Sequence, residues 1–308
     1  MGKATRDLFL LAAFFTTMLL TFHSSLAQQK VQFSQYMFNN LVINPAYAGA
    51  DEALSLTFVH RAQWNGIDNA PTTQTLTGHT LFRKKHFGLG ATLVNDQYGV
   101  HKNLSALTNY AYHLQTGKHS FLSLGVQVGI YNTRSDYASL IGGVTNDPRL
   151  YANVSETFFD FGAGAYYRSP RLHVGLSAPQ LLPETIDLDT LSVRLSRTNY
   201  FLFSKYRITQ NESLEYEPSI LLKYFPGLPL SYDININMIY RKVLTLGLSY
   251  RKEESVDFLL KAQITPQFQV GYSYDHAIGS VARLANGSHE LMVQYLFKFV
   301  ETKVASPR

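Results

Sequence analysis

The chain has no cysteine among its 308 residues. That excludes structural disulfides and a lipid-modified cysteine anchor. Charge is scarce: Asp, Glu, Lys and Arg make up 16% of the chain, against about a quarter in an ordinary soluble protein. The net charge of +5 is modest and spread out, with no basic stripe of the kind that nucleic acid requires. Beyond the N-terminus no apolar run reaches the roughly 20 residues of a membrane helix. This does not argue for solubility, because barrel strands are too short to register on hydropathy windows. Catalytic signatures are missing as well: no G-x-S-x-G elbow, no H-E-x-x-H pair and no Walker A loop. Gly88-x-Gly90 and Gly162-x-Gly164 look like pieces of a nucleotide fingerprint but lack its third Gly. Both lie in alternating segments, where Gly relieves crowding on one face. The histidines are scattered without metal-ligand spacing. No enzymatic activity, metal or cofactor is expected.

What the chain does have is alternation. From about residue 54 to residue 299, segments of roughly ten residues place apolar and polar side chains at alternate positions, separated by turn residues. In one segment Leu122, Leu124, Val126, Val128 and Ile130 share a face, opposite Ser123, Gly125, Gln127 and Gly129. In another, Leu230, Tyr232, Ile234, Ile236, Met238 and Tyr240 lie opposite Ser231, Asp233, Asn235 and Asn237. Twenty Tyr, 20 Phe and 20 Gly complete the composition, with a mean hydropathy of -0.09. The pattern predicts an all-β protein, a single transmembrane antiparallel β-barrel of about 14 strands in an outer membrane. Closure is required because lipid offers no partner to an open sheet edge. The strands are expected near 54–63, 72–81, 87–95, 104–114, 120–131, 158–168, 172–177, 199–207, 214–224, 230–240, 243–251, 255–264, 268–275 and 288–299. With both termini periplasmic, the longest connections, 132–157, 178–198 and 276–287, all fall outside, and the turns after even strands are short. That asymmetry is what outer-membrane barrels show.

Before the strands, Lys3 and Arg6, an apolar run from Leu8 to Phe22, and Ser25 and Ala27 read as a secretory signal (1–27) cleaved after Ala27. Residues 28–53 do not alternate and are rich in amides and aromatics. They read as a lead-in strand with a turn at Asn44-Pro45 and Gly49, or as a plug that enters the barrel lumen. A short polar tail, 300–308, follows the last strand.

Several smaller features carry two readings each. Arg83-Lys84-Lys85-His86 lies in a periplasmic turn, either simply solvated beside acidic headgroups or a dock for a periplasmic partner. Asp187 and Asp189 are half of a calcium set at most and read as loop solvation. Asp275-His276 and His289-Glu290 flank the last outside loop and read as a hydrogen-bonded loop base. Trp64, the only Trp, reads as an interfacial anchor.

A family resemblance rests on an ordered series of motifs. Gln32-Phe33-Ser34-Gln35-Tyr36-Met37-Phe38-Asn39 is followed by Asn44-Pro45-Ala46-Tyr47-Ala48-Gly49, then by Arg61-x-Gln63-Trp64-x-Gly66 with Ala70-Pro71-x-Thr73. Gly88-Leu89-Gly90 with Asp96 and Gly99, Tyr110-Ala111-Tyr112, Tyr272-Ser273-Tyr274-Asp275 and Gly287-Ser288-His289-Glu290 complete it. This order resembles the PorP/SprF family of type IX secretion outer-membrane proteins of Bacteroidota. Asn69, where a Gly is expected before Ala-Pro, and Thr198-Asn199-Tyr200, where a His is expected, depart from it. The resemblance implies a non-enzymatic barrel that helps export or attach a surface protein such as a gliding adhesin. It also implies links to a periplasmic lipoprotein or peptidoglycan-binding component. The residues that would matter are the motif and plug positions Gln32, Phe33, Ser34, Gln35, Tyr36, Asn44, Pro45, Ala46, Gly49 and Trp64. The competing reading is an outer-membrane transporter of small hydrophobic molecules, which would need an apolar pocket near the plug. A lipase would need a Ser-His pair at one rim, and none stands out.

Overall fold

A computed structural model describes residues 32–83, 86–136, 153–182, 185–188, 191–194, 198–279, 281–283 and 285–297. The signal segment, residues 28–31, Lys84-Lys85, the side chain of Asp187, Asp189 and the polar tail lie outside the described residues.

Among the described residues, seventeen strands follow one another. β1 (Leu54–Ala62), β2 (Thr72–Phe82), β3 (Phe87–Tyr98), β4 (His101–Gly117), β5 (Ser120–Asp136), β6 (Asn153–Arg168) and β7 (Leu172–Gln180) form the first half. A hairpin of β8 (Thr185–Leu188) and β9 (Leu191–Arg194) follows. Then come β10 (Asn199–Tyr206), β11 (Ile208–Asn211), β12 (Leu214–Tyr224), β13 (Ser231–Tyr240) and β14 (Leu244–Arg251). β15 (Ser255–Gln263), β16 (Phe268–Ala277) and β17 (Ser288–Phe297) complete the chain. Neighbours in sequence pair antiparallel around the ring, β7 passes directly to β10, and β10 pairs β12. β1 pairs β17 from Leu54↔Phe297 to Ala62↔His289, so the sheet closes. The result is a closed antiparallel barrel of 14 strands.

All fourteen expected strands are present, with ends shifted by a few residues. Two short pieces go beyond the expectation. Among the described residues the β8–β9 hairpin pairs only with itself, and its four-residue arms are too short to cross a bilayer. β11 continues β10 beyond Arg207 and pairs β12.

The alternation sorts side chains by solvent. In β5, Ser123, Gly125 and Gln127 are buried toward the lumen, whereas Leu124, Val126 and Val128 stay exposed. In β13, Asp233, Asn235 and Asn237 are buried while Ile234 and Ile236 are exposed. Leu56, Phe58, Leu76, Leu93, Leu176, Leu202, Leu248, Phe258 and Leu260 extend the outer apolar band. An exposed apolar surface of this extent is untenable in water and natural in lipid. Aromatics rim it at both ends. Phe82, Phe87 and Tyr110 form a run at the end with short turns, with ring centroids 6.4 and 6.2 Å apart. Tyr200–Tyr224 and Tyr232–Tyr250 pair at the other end. Such girdles mark the headgroup levels of an outer-membrane barrel.

Short turns connect β2–β3, β4–β5, β6–β7 and β15–β16, and the long connections after β5, β7 and β16 share the opposite end. The short-turn end is therefore the periplasmic one. This predicts that Asp68→Cys, in the β1–β2 loop, reacts with a membrane-impermeant maleimide on intact cells. Lys118→Cys, in the β4–β5 turn, should react only after lysis. The opposite labelling would invert the barrel.

Candidate functional site: the filled lumen

The segment before β1, residues 32–53, contains no strand. Two short 3-10 turns, Asn40–Val42 and Pro45–Tyr47, break it. It runs down the inside of the barrel. Its first residues meet the outer ends of β1, β16 and β17, and its last residues reach the periplasmic ends of β2, β4 and β6.

At the outer end Ser34 and Gln35 are held by one carboxylate. Their backbone N–H groups donate to the two oxygens of Glu290, both at 2.9 Å, and the Gln35 amide donates to the Glu290 carbonyl at 3.1 Å. Ser34 Oγ donates to Asp275 at 2.6 Å and accepts from Arg61 at 2.8 Å. Arg61 also pairs with Asp275 at 2.7 Å and Glu290 at 3.2 Å. Arg251 donates to the Phe33 carbonyl at 3.2 Å and lies among Asp233, Asp257 and Asp275. Lys223 pairs with Asp233 at 2.8 Å and reaches the Gln32 amide at 3.0 Å. Arg61, Lys223, Arg251, Asp233, Asp257, Asp275 and Glu290 are all buried. An ion pair this deep is costly to leave half-made, about 3–5 kcal/mol when one partner is removed.

In the middle, the segment becomes apolar. Tyr36, Met37, Ile43 and Ala46 pack with inward-facing Tyr166, Phe203, Leu221 and Leu259. The Tyr36 ring meets Phe203 edge-on at 6.1 Å. Further down, Asn44 caps its own turn by accepting from the Ala46 N–H at 2.9 Å, while its amide donates to Ala165 O at 3.0 Å. Pro45 opens that turn, where its missing N–H costs nothing. Gly49 N–H donates to His79 Nδ1 at 3.0 Å, and the Ala48 carbonyl accepts from His113 Nε2 at 2.8 Å. Tyr47 OH donates to Asp51 at 2.6 Å. Burial pushes the Asp51 carboxyl up, but His79 and the hydrogen bonds from His79, Tyr47 and Ser55 outweigh it and hold the carboxyl below its usual range.

Glycines of the barrel wall make room for this segment. A Cβ on Gly88 would overlap the Ala48 carbonyl, and one on Gly125 would overlap the Ala46 backbone. One on Gly164 would strike Asn44 Oδ1, and one on Gly271 would strike Gln35 Oε1. The glycine pairs that look like nucleotide-binding fragments thus include clearance for the chain's own residues.

Of the motif residues, Gln32, Phe33, Ser34, Gln35, Tyr36, Asn44, Pro45, Ala46 and Gly49 all lie in this segment. Trp64 does not: it sits in the β1–β2 loop, exposed, with its backbone N–H donated to Ser288 Oγ at 3.1 Å. The acids of Asp275-His276 and His289-Glu290 meet, but not through the histidines. Asp275 and Glu290 face inward to Arg61, whereas His289 faces outward to Tyr272 OH at 2.7 Å. Adjacent residues on a strand take opposite faces, which is why each pair divides. The sequence reading placed Asp233 on the polar face but missed the apolar wall at Phe203, Leu221 and Leu259, and the charges Lys223, Arg251 and Asp257. For the charges, inward parity beside a lipid-facing aromatic (Tyr224, Tyr250 and Phe258) was the available signal. Among the described residues, no group of three or more His, Asp or Glu could hold a metal ion.

The family model of the type IX secretion system membrane protein PorP/SprF matches residues 25–295. The chain belongs to this family. It is thus a type IX secretion outer-membrane protein. Solved structures with a similar fold include the CymD monoaromatic hydrocarbon channel, at TM-score 0.51 and 11% identity, covering 85% of this chain and 92% of that one. The Acinetobacter baumannii outer membrane protein Omp33 scores 0.48 at 9% identity, covering 80% and 98%. The P. putida toluene transporter TodX scores 0.48 at 12% identity, covering 84% and 94%. At such identity the likeness to CymD speaks for the fold alone. No protein of curated function matches the chain.

Two substitutions test the seat of the lumen segment. Arg61→Leu leaves Asp275 and Glu290 buried without their shared cation and should destabilise the folded barrel by about 3–5 kcal/mol. The measurement is the temperature at which the compact, heat-modifiable band is lost on gels. Gly125→Leu should displace the Asn44–Ala46 turn at a cost of about 1–3 kcal/mol. It should also raise single-channel conductance in planar bilayers above that of the parent, and unchanged conductance would place the turn elsewhere.

Proposed function

We propose that this barrel is a non-enzymatic mount of the type IX secretion and gliding machinery. It helps export or anchor a cell-surface protein at its outer end and connects to periplasmic lipoprotein or peptidoglycan-binding components at its inner end. The observation that carries this reading is a lumen occupied by the chain's own residues 32–53, gripped by buried ion pairs at one end and histidine and backbone hydrogen bonds at the other. A filled cylinder is a poor conduit and a stiff support. The long outer connections after β5 and β7 supply the surface on which an exported adhesin would sit. Family membership supports the setting. The lumen segment would act as a permanent plug, and Gln32–Tyr36 with Asn44–Ala46 and Gly49 would be the residues that seat it.

A second reading, a transporter of small hydrophobic molecules, draws on the apolar wall of Phe203, Leu221 and Leu259. That wall is covered by Tyr36, Met37 and Ile43, so a transported molecule would have to displace the plug.

Deleting the gene should abolish surface display of one large exported protein or of several, scored by antibody labelling of intact cells. Unchanged display of every exported protein would sink the proposal. Stoichiometric lipid or hydrocarbon copurifying in the lumen would favour the transporter.

A further inference from the structure

The periplasmic mouth holds a cavity that the plug does not fill. It measures about 190 Å³, several waters' worth of volume, which suits a side chain or two and not a folded domain. Arg83, Arg168, Glu52, His86, Leu81 and Phe121 line it. Two guanidinium groups face one carboxylate. The Arg168 guanidinium lies 4.4 Å over the Phe121 ring and reaches Glu52 at 2.8 Å. Its Nε–H is shielded from water and has no hydrogen-bond partner, although a buried donor left unmade costs about 1–3 kcal/mol. Arg83 donates to the Glu52 carbonyl at 3.1 Å, and its side chain is two-thirds exposed (66%).

The cavity is therefore an incomplete anion site: Arg168 is held against Phe121 and Glu52, and Arg83, bonded to Glu52, keeps most of its side chain exposed to a guest. The floor of Leu81 and Phe121 is apolar. We propose that it receives an acidic side chain, flanked by an apolar one, from a peptide segment of a periplasmic protein. The carboxylate would pair with the Arg83 fork and the Arg168 guanidinium that line the cavity, and the apolar neighbour would cover Leu81 and Phe121. The lining residues face the lumen axis, while their neighbours Phe82 and Phe87 face lipid. Lipid headgroups meet the outward face, so a water-borne partner is the fitting guest. This inference deepens the periplasmic half of the proposed function and rests on it.

The test uses the full-length protein in nanodiscs with the fluorescein-labelled peptide acetyl-Phe-Asp-Glu-Phe-Asp-amide. Its Asn/Gln counterpart and inorganic phosphate are the controls. Saturable binding of the acidic peptide is expected, weakened about tenfold by Arg168→Gln or Arg83→Gln and by high salt. Glu52→Gln, which removes the competing carboxylate, should tighten it. That variant reads the same cavity with the opposite sign, so a folding defect in Arg168→Gln does not shelter the idea. Equal binding of the two peptides, or affinity unmoved by all three variants, overturns the proposal. Phosphate that displaces the peptide at matching concentration makes the cavity a plain anion site and overturns it too. Loss of surface display on gene deletion, with no peptide binding by the parent protein, would reject this inference alone.

Discussion

The antiparallel pairing of Leu54–Ala62 with Ser288–Phe297 is the constraint from which the rest follows. In hydrocarbon an unpaired strand edge has no solvent to satisfy it, so the first and last strands must meet. Once they do, the inward face is a closed chamber, and its fate depends on what enters it. Here the inward residues of β1, β2, β16 and β17 include Ser, Thr, Asp, Glu and Arg. Left alone they would hold water. The chain instead supplies its own amides and backbone N–H groups, delivered by the residues immediately before β1.

That delivery explains the uneven chemistry of the lumen. At the outer end the guest segment is polar and meets charge. Glu290 accepts two successive backbone N–H groups, a geometry that fixes both the position and the direction of Ser34-Gln35. In the middle the segment is apolar and meets Phe203 and Leu221. Buried charge pairs add little net stability compared with apolar contacts of equal volume, but they discriminate strongly against misplacement. A shift of the segment by one residue would leave Arg61, Asp275 and Glu290 without their Ser34 and Gln35 partners. The apolar middle supplies cohesion, and the ionic end supplies register.

The barrel was legible in the sequence because each crossing strand has one face wetted by lipid and one by polar groups. Leu122–Ile130 states that contrast in nine residues. The β8–β9 hairpin was not legible, since its four-residue arms pair, among the described residues, only with each other and carry no membrane-length signal. The lumen segment could be seen as something other than a barrel strand, because residues 28–53 lack alternation. Which of two roles it plays could not be read from it alone. The acids that hold Ser34, Asp275 and Glu290, lie 241 and 256 residues away, and no local pattern encodes that distance. Likewise Asp275 and Glu290 were noticed beside their histidines, while the cation that joins them, Arg61, stands on a third strand. The apolar wall escaped notice because Phe203 and Leu221 interrupt polar parity, which reads as noise until a guest segment of matching character is set against it.

A hydrocarbon needs an apolar path, and the largest apolar stretch among the described residues of this lumen is the one covered by Tyr36, Met37 and Ile43. To clear it, those side chains must leave. They are tethered within two residues to Ser34 and Gln35 on one side, and by the Ser177 hydroxyl on the Ile43 carbonyl at 2.6 Å on the other. Opening therefore means breaking the Glu290 hydrogen bonds to the Ser34 and Gln35 N–H groups, while Arg61 keeps its pairing with Asp275 and Glu290. A support needs no such step. It only asks that load applied at one rim reach the other without the cylinder deforming, and a segment bonded to β1, β16 and β17 above and to β2, β4 and β6 below braces opposite walls against that deformation.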